Sequence, residues 1–253
     1  TQVKTVIPYF NNWIKKFPTI KSVATASEEE ILKYWEGLGY YSRARNFQHA
    51  CKQIQSDHGG ELPKSKKEFI KLKGVGEYIL SAVFSIGINK KIPVIDGNVK
   101  RVVSRFLGLR FEINSELNNI KSFLNSEITN VKIPGDFNQA MMDLGRTICK
   151  PKKPDCLICP LNSKCIALKQ KLTDIIPVKI KKKQIPHYKI VIGIIQKKDK
   201  FLICKRKSNG LLGGMWELPG GKMNSNESQK NALTRIFKDY GIIFKSNSFI
   251  GKA

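Results

Sequence analysis

Apolar residues at the start of the chain fall three and four apart: Val3, Val6, Ile7, Phe10, Trp13, Ile14 and Phe17 share one face of a helix. Pro8 fits that helix only near its first turn, because proline has no N–H to give. Ser27 with Glu30, Ser65 with Glu68, and Asp136 with Gln139 have the spacing of a capping box ahead of apolar residues, and each predicts a helix start. Ser42 to Asp57 reads as a further helix, closed by Gly59 and Gly60. After about Leu168 the pattern changes. "KIKKKQIPHYK" is charged and broken by proline, and "YKIVIGIIQ", "KKDK" and "KFLICKRK" then read as strand, turn and strand. A linker therefore joins a helical domain to the beginning of one containing sheet, without internal repeats or low-complexity tracts.

Length and charge narrow the function. At 253 residues, two domains with real cores are the better expectation. Lys and Arg number 45 against 20 Asp and Glu, a net charge of +25 that implies a polyanionic partner, most simply nucleic acid. A membrane-spanning segment is not expected, since the longest apolar run, Ile190 to Ile195, is far short of the roughly 20 residues needed. The chain starts at Thr1 without an initiator Met, so targeting cannot be judged from it.

Four of the six cysteines are crowded into "CKPKKPDCLICPLNSKC" as Cys149, Cys156, Cys159 and Cys165, spaced by six, two and five residues. Clustered thiols of this kind read as metal ligation in a reducing compartment rather than as a disulfide framework. Structural zinc and a [4Fe-4S] cluster both remain open, with the cluster favoured because zinc usually takes two close pairs and only Cys156 and Cys159 form one. Cys51 and Cys204 lie on apolar periodic faces and read as core residues. In "FIKLKGVGEYILSAV", two helices meet on a short turn in which Gly74 and Gly76 bracket Val75; such a helix-hairpin-helix lets backbone N–H groups approach a phosphate closely. In "IPVIDGNVKRVVSRFLGL", Asp96 stands where it can cap the basic helix that follows, and also where a carboxylate can face a pocket; both roles can coexist.

Taken together and in order, "WEGLGYYSRARN", "LKGVGEY", "DGNVKRV", "FNQAMMDLG" and the four-cysteine loop closely resemble the MutY family of adenine DNA glycosylases. The resemblance covers essentially the whole chain. It implies a mainly α fold: a helix-hairpin-helix DNA glycosylase domain over residues 1–167 with an iron-sulfur loop at 149–165, a linker over 168–186, and the start of an α+β Nudix-like domain over 187–253. It also implies a [4Fe-4S] cluster on Cys149, Cys156, Cys159 and Cys165, which would shape a DNA-contacting loop bearing Lys150, Lys152 and Lys153. The implied partner is double-stranded DNA with adenine opposite 8-oxoguanine or guanine, bound by a monomer in a DNA-containing compartment, with no membrane involved. Adenine would be flipped out and its glycosidic bond hydrolysed. Asp96 matches the carboxylate that stabilises the sugar cation and Asn98 its polar neighbour. Tyr78 stands where bifunctional relatives carry a Schiff-base lysine, which implies a monofunctional enzyme. Thr1, Tyr40 and Arg43, with Lys73, Gly74, Val75 and Gly76 of the hairpin, are the implied DNA contacts, Tyr40 as an aromatic wedge in the base stack; Arg45 is either a phosphate ligand or part of a solvated face.

Two departures qualify that expectation. The family's general acid, a glutamate, lies a few residues before the threonine matched by Thr1, so the sequence as given is expected to be a fragment impaired in catalysis. In "LICKRKSNGLLGGMWELPGGK" and the residues after it, only Glu227 stands at a spacing suited to a Nudix metal site, and Arg235 is followed by Ile236, Phe237 and Lys238 where carboxylates would be wanted; pyrophosphate hydrolysis is therefore not expected. A bifunctional glycosylase of the endonuclease III type, and an iron-sulfur protein that binds lesions without cutting, are the alternatives.

Overall fold

In the computed structural model, which describes residues 3–178, 186–207, 210, 212–243 and 250–251, the first helix α1 spans Val3–Lys16. Pro8 lies in its second turn rather than its first, and the helix runs through it. The lost N–H leaves the exposed Lys4 residue's carbonyl to water, which makes the position tolerable.

Helices α2 (Ile20–Thr25), α3 (Glu28–Trp35), α4 (Tyr41–Asp57), α5 (Lys66–Phe69) and α6 (Glu77–Ala82) follow, and α6 passes into a π-helical turn, Val83–Gly87. The Ser27 box forms as expected: the Glu30 N–H donates to Ser27 Oγ at 3.1 Å and the Ser27 N–H to Glu30 Oε2 at 3.4 Å. A second box, Thr19 with Ser22 at the start of α2, was not legible because serine replaces the usual Glu or Gln. At Ser65 no side-chain cap forms, and Glu68 instead pairs with Lys71 at 2.9 Å. Asp136 does not begin its helix either. The helix α9 (Pro134–Thr147) starts two residues earlier, with proline in its first turn.

Contact between parts of the chain divides it into two units, Ile7–Tyr34 with Arg45–Lys182, and Thr1–Val6 and Trp35–Ala44 with Lys183–Ala253. Two apolar clusters of the first unit bear on the site. Ala50 and Ile54 of α4, Phe69 and Leu72 around α5, and Leu80 and Phe84 after it clamp the hairpin between helices, with Phe69 and Phe84 edge to face at 5.2 Å. Val99 and Val103 of α7 (Gly97–Leu107) meet Ile120 and Leu124 of α8 (Leu117–Thr129), and Phe137, Met141 and Met142 of α9 pack on the same cluster. Burial of each such side chain contributes roughly 1.5–3 kcal/mol. The unit closes with two 3-10 turns, Cys156–Ile158 and Asn162–Lys164, and the short α10 (Ile166–Lys169).

Among the described residues, the second unit carries six short strands, β1 (Ile190–Ile192), β2 (Gln196–Lys197), β3 (Lys200–Phe201), β4 (Cys204–Lys205), β5 (Trp216–Glu217) and β6 (Gly220–Lys222), and α11 (Gln229–Lys238). These strands pair antiparallel: β1 with β6 in the register Val191 to Gly221, β2 with β3, and β4 with β5. Val191 meets Ala232, Ile236 and Phe237 of α11 beneath the β1–β6 pair. Cys51 is buried as expected, whereas Cys204 is only half-buried.

Candidate functional site

The hairpin turn is shaped by what glycine leaves out. Gly74 has a φ of +80°, and a Cβ there would stand 2.6 Å from Cβ of Asn46, so both backbone angle and space exclude a side chain. The Val75 N–H closes the turn on the Leu72 carbonyl, and the Lys73 N–H donates to Oε1 of Gln53 on α4 at 2.7 Å. Gly76, extended, precedes α6 without offering a cap, so the N–H groups of the first turn have no intrahelical acceptor. Tyr78 sits on that turn, half exposed. Lys73 is exposed at the turn itself.

Asp96 is held at both oxygens. Its Oδ1 accepts from the Val99 N–H at 2.7 Å as the N-cap of α7, and its Oδ2 accepts from Nδ2 of Asn98 at 2.9 Å. The capping role is thus present, and the second oxygen is oriented by the neighbour that the resemblance singled out. Asn98 is fixed in turn: its Oδ1 accepts from Nη2 of Arg101 at 2.9 Å, and a Cβ on Gly145 of α9 would stand 2.6 Å from its own Cβ. Arg101 is buried and also donates to the carbonyls of Gly145 (2.6 Å) and Cys149 (2.8 Å). Burial lowers its pKa, opposed by attraction to Cys149 and Asp96.

One turn further along α7, the buried Arg105 donates to the carbonyls of Ile176 (2.8 Å), Lys150 (2.7 Å) and Pro151 (3.2 Å) and approaches Sγ of Cys149 at 3.3 Å. Cys149, Cys156, Cys159 and Cys165 line a single cavity with Arg105, walled by Val102, Phe106, Leu144, Ile148, Leu161 and Leu168. Burial, then the other cysteines, raises the thiol pKa of Cys156, and burial does the same for Cys159. Thiolates this close therefore need a shared positive partner to coexist. Four thiols around one cavity are a donor set that a [4Fe-4S] cluster would fit. In the loop, Lys150 is paired with Asp155 at 2.7 Å, and Lys152 and Lys153 are exposed.

Tyr40 and Arg43 belong to the Trp35–Ala44 stretch of the other unit. Tyr40 has a φ of +49°, is 72% exposed, and lies under the Arg43 guanidinium at 4.8 Å. A bulky residue held in the left-handed region with its ring in solvent is strain of the kind stored at functional sites. Arg45 pairs with Glu28 at 2.9 Å. Thr1 lies outside the described residues. Glu227 is taken up by Arg235 through two bonds of 2.9 and 2.7 Å, which hold its carboxyl down at about 2.

Sequence reasoning missed Arg101, Arg105, Gln53 and Asn138. The two arginines were signalled by their spacing of four among Val99, Val102 and Val103, where a solvated face would not carry valines. Gln53 and Asn138 gave no such signal, because their partners lie 20 and 44 residues away.

Residues 1–119 match the family described as HhH-GPD superfamily base excision DNA repair protein, and residues 190–249 match the NUDIX domain. The adenine DNA glycosylase of Buchnera aphidicola subsp. Schizaphis graminum is 36% identical over 220 residues, covering 87% of this chain and 63% of that protein. The chain thus spans less than two thirds of that relative's length. A thermostable thymine-DNA glycosylase structure superposes with a TM-score of 0.59 at 24% identity, covering 65% of this chain and 76% of the other. A trapped endonuclease III–DNA covalent intermediate gives 0.57 at 24% identity, with 68% and 79% covered.

Proposed function

We propose that the chain, whose residues 1–119 match the HhH-GPD superfamily of base excision DNA repair proteins, serves as a monofunctional glycosylase that removes adenine paired with 8-oxoguanine or guanine. The observation that carries this reading is the Asp96 carboxylate, pinned at one oxygen by the α7 cap and at the other by Asn98. A preorganised anion of this kind stabilises charge as it develops and needs no reorganisation at that moment. When the glycosidic bond of a flipped adenine breaks, its electron pair leaves with the base, which takes up one proton, and the water that later adds to the sugar gives one up. Asp96 then faces the oxocarbenium sugar until water adds to the anomeric carbon. Kinship with adenine DNA glycosylases supports the choice of base. Tyr78 supports the absence of strand cutting, because a phenol cannot form a Schiff base. The Lys73–Gly76 turn would anchor the phosphate backbone and Tyr40 would enter the base stack, a contact generally worth about 1–3 kcal/mol per base.

Proteins of this superfamily generally carry a [4Fe-4S] cluster. Cys149, Cys156, Cys159 and Cys165 would hold one here, and its contribution would be structural, tying residues 149–165 into one rigid loop. Glu227, committed to Arg235, leaves no carboxylate at that position for divalent metal, which supports a non-hydrolytic Nudix-like unit.

The test is single-turnover cleavage of a duplex with adenine opposite 8-oxoguanine by the natural full-length protein. Breaks appearing only after alkali are the expected result. Breaks without alkali would establish the bifunctional alternative, and tight lesion-specific binding to DNA that stays intact would establish a non-cutting lesion binder.

A further inference from the structure

The motif "FNQAMMDLG" gives α9 a glycine against Asn98, and it also carries an asparagine on the same helix. Asn138 is 1% exposed. Its Oδ1 accepts from the Val94 N–H at 2.9 Å, and its Nδ2 donates to the Ile92 carbonyl at 2.9 Å. Residues 91–96 form no helix or strand, so their backbone groups must be satisfied from elsewhere. An asparagine amide offers one donor and one acceptor, and here it serves alternate residues of an extended segment as a neighbouring strand would.

We infer that Asn138 is a positioning residue for Asp96. Only Ile95 separates Val94 from Asp96, so the pinned backbone lies two residues, about 7 Å of extended chain, from the carboxylate-bearing residue. Helix α9 therefore frames Asp96 from both sides in sequence. Asn138 fixes the segment that leads into it, and near the other end of α9 the Gly145 carbonyl takes the Arg101 guanidinium that holds Asn98. Phe137, Met141 and Met142 pack α9 against the Val99 and Val103 face of α7, so both contacts are referred to one rigid body. An apolar side chain of similar size would fill the same space but leave a buried N–H and a buried carbonyl unpaired, and the segment would shift to find partners. A displacement of about 1 Å in a reacting group costs on the order of 100-fold in rate.

This rests on the reading of Asp96 given above, and the experiment separates the two. Asn138→Asp and Asn138→Leu would be made in the natural full-length protein beside Asp96→Asn, and adenine release measured in single turnover at saturating lesion duplex. Asn138→Asp keeps the acceptor for Val94 and nearly the same shape, so it tests the idea even if Asn138→Leu does not fold. The expected result is a single-turnover rate constant lowered roughly 10- to 100-fold, with full reaction amplitude and a Kd for the same duplex within about threefold of native. A residue that only stabilised the fold would lower the amplitude and leave the rate constant untouched. That pattern, or a native rate beside an inactive Asp96→Asn, would overturn the inference alone. A native rate for Asp96→Asn would instead remove the reading of Asp96, and the inference with it.

Discussion

Asp96 gives one carboxylate oxygen to the end of a helix and has the other turned by an amide, so a single side chain caps α7 while holding the carboxylate to which we assign the chemical role. The two can be separated by substitution. Asparagine and aspartate are about equally good N-caps, so Asp96→Asn should change stability by less than about 1 kcal/mol. It should nevertheless slow adenine release by at least about 100-fold, because the charge that faces the sugar cation is gone. Thermal unfolding and single-turnover rates measured on the same preparation decide the matter, and a loss of stability in step with the loss of rate would leave capping as the only role. Asp96 was legible in the sequence because a carboxylate ahead of Gly97 and a basic, valine-rich helix has two local readings, and both can be written down from neighbours in the chain. For Arg101 only its burial was signalled, by the valines around it; its partners, the carbonyls of Gly145 and Cys149, lie 44 and 48 residues away and no local pattern encodes them.

Helices with strong apolar periodicity were readable, while their starts were not uniformly so. Ser27 with Glu30 formed its box, but the same spacing at Ser65 did not cap: Glu68 was drawn to Lys71 three residues on, and α5 is only four residues long. The cysteine loop shows how an element depends on a distant residue. Arg105 of α7 satisfies three carbonyls and sits beside Cys149, so Arg105→Met should destabilise the protein by roughly 3 kcal/mol or more and, if the four cysteines hold the proposed cluster, lower the iron bound per chain. Lys150→Ala breaks only a half-exposed pair with Asp155 and should cost less than about 1 kcal/mol. Urea midpoints and iron per chain compare the two, and equal effects would mean that Arg105 does not hold the loop. In the second unit, the Glu227 carboxyl is lowered from 4.5 to about 2 by Arg235 and by the Asn224 N–H. A depressed carboxyl stabilises the fold above its unfolded pKa and loses that contribution as pH falls through the folded one. Amide protection of β1 and α11 should therefore weaken as pH drops from about 4.5 towards 2, and Glu227→Gln should flatten that dependence. An unchanged pH profile in the variant would show that this pair does not brace α11.

At the scale of the whole molecule the dominant fact is an excess of 25 positive charges, and no helix among the described residues is long and apolar enough to cross a membrane. If that charge serves a DNA backbone, binding must release condensed counterions, and affinity must fall steeply with salt. A protein that neutralises about 6 to 10 phosphates loses on the order of 10³ to 10⁵ in affinity between about 50 and 200 mM salt. That is the expectation for plain duplex as well as lesion duplex, because phosphate contacts position without reading sequence. Single substitutions should divide cleanly on the same plot. Lys73→Ala, at the exposed hairpin turn, should weaken both duplexes and reduce the salt slope by about one. Asp96→Asn removes a negative charge from the cap of α7 and should leave the slope within error of native while abolishing base release. A nearly flat salt dependence of the native protein would detach the charge from DNA altogether, because no amount of base-specific contact can hide the ions that a neutralised backbone must give up.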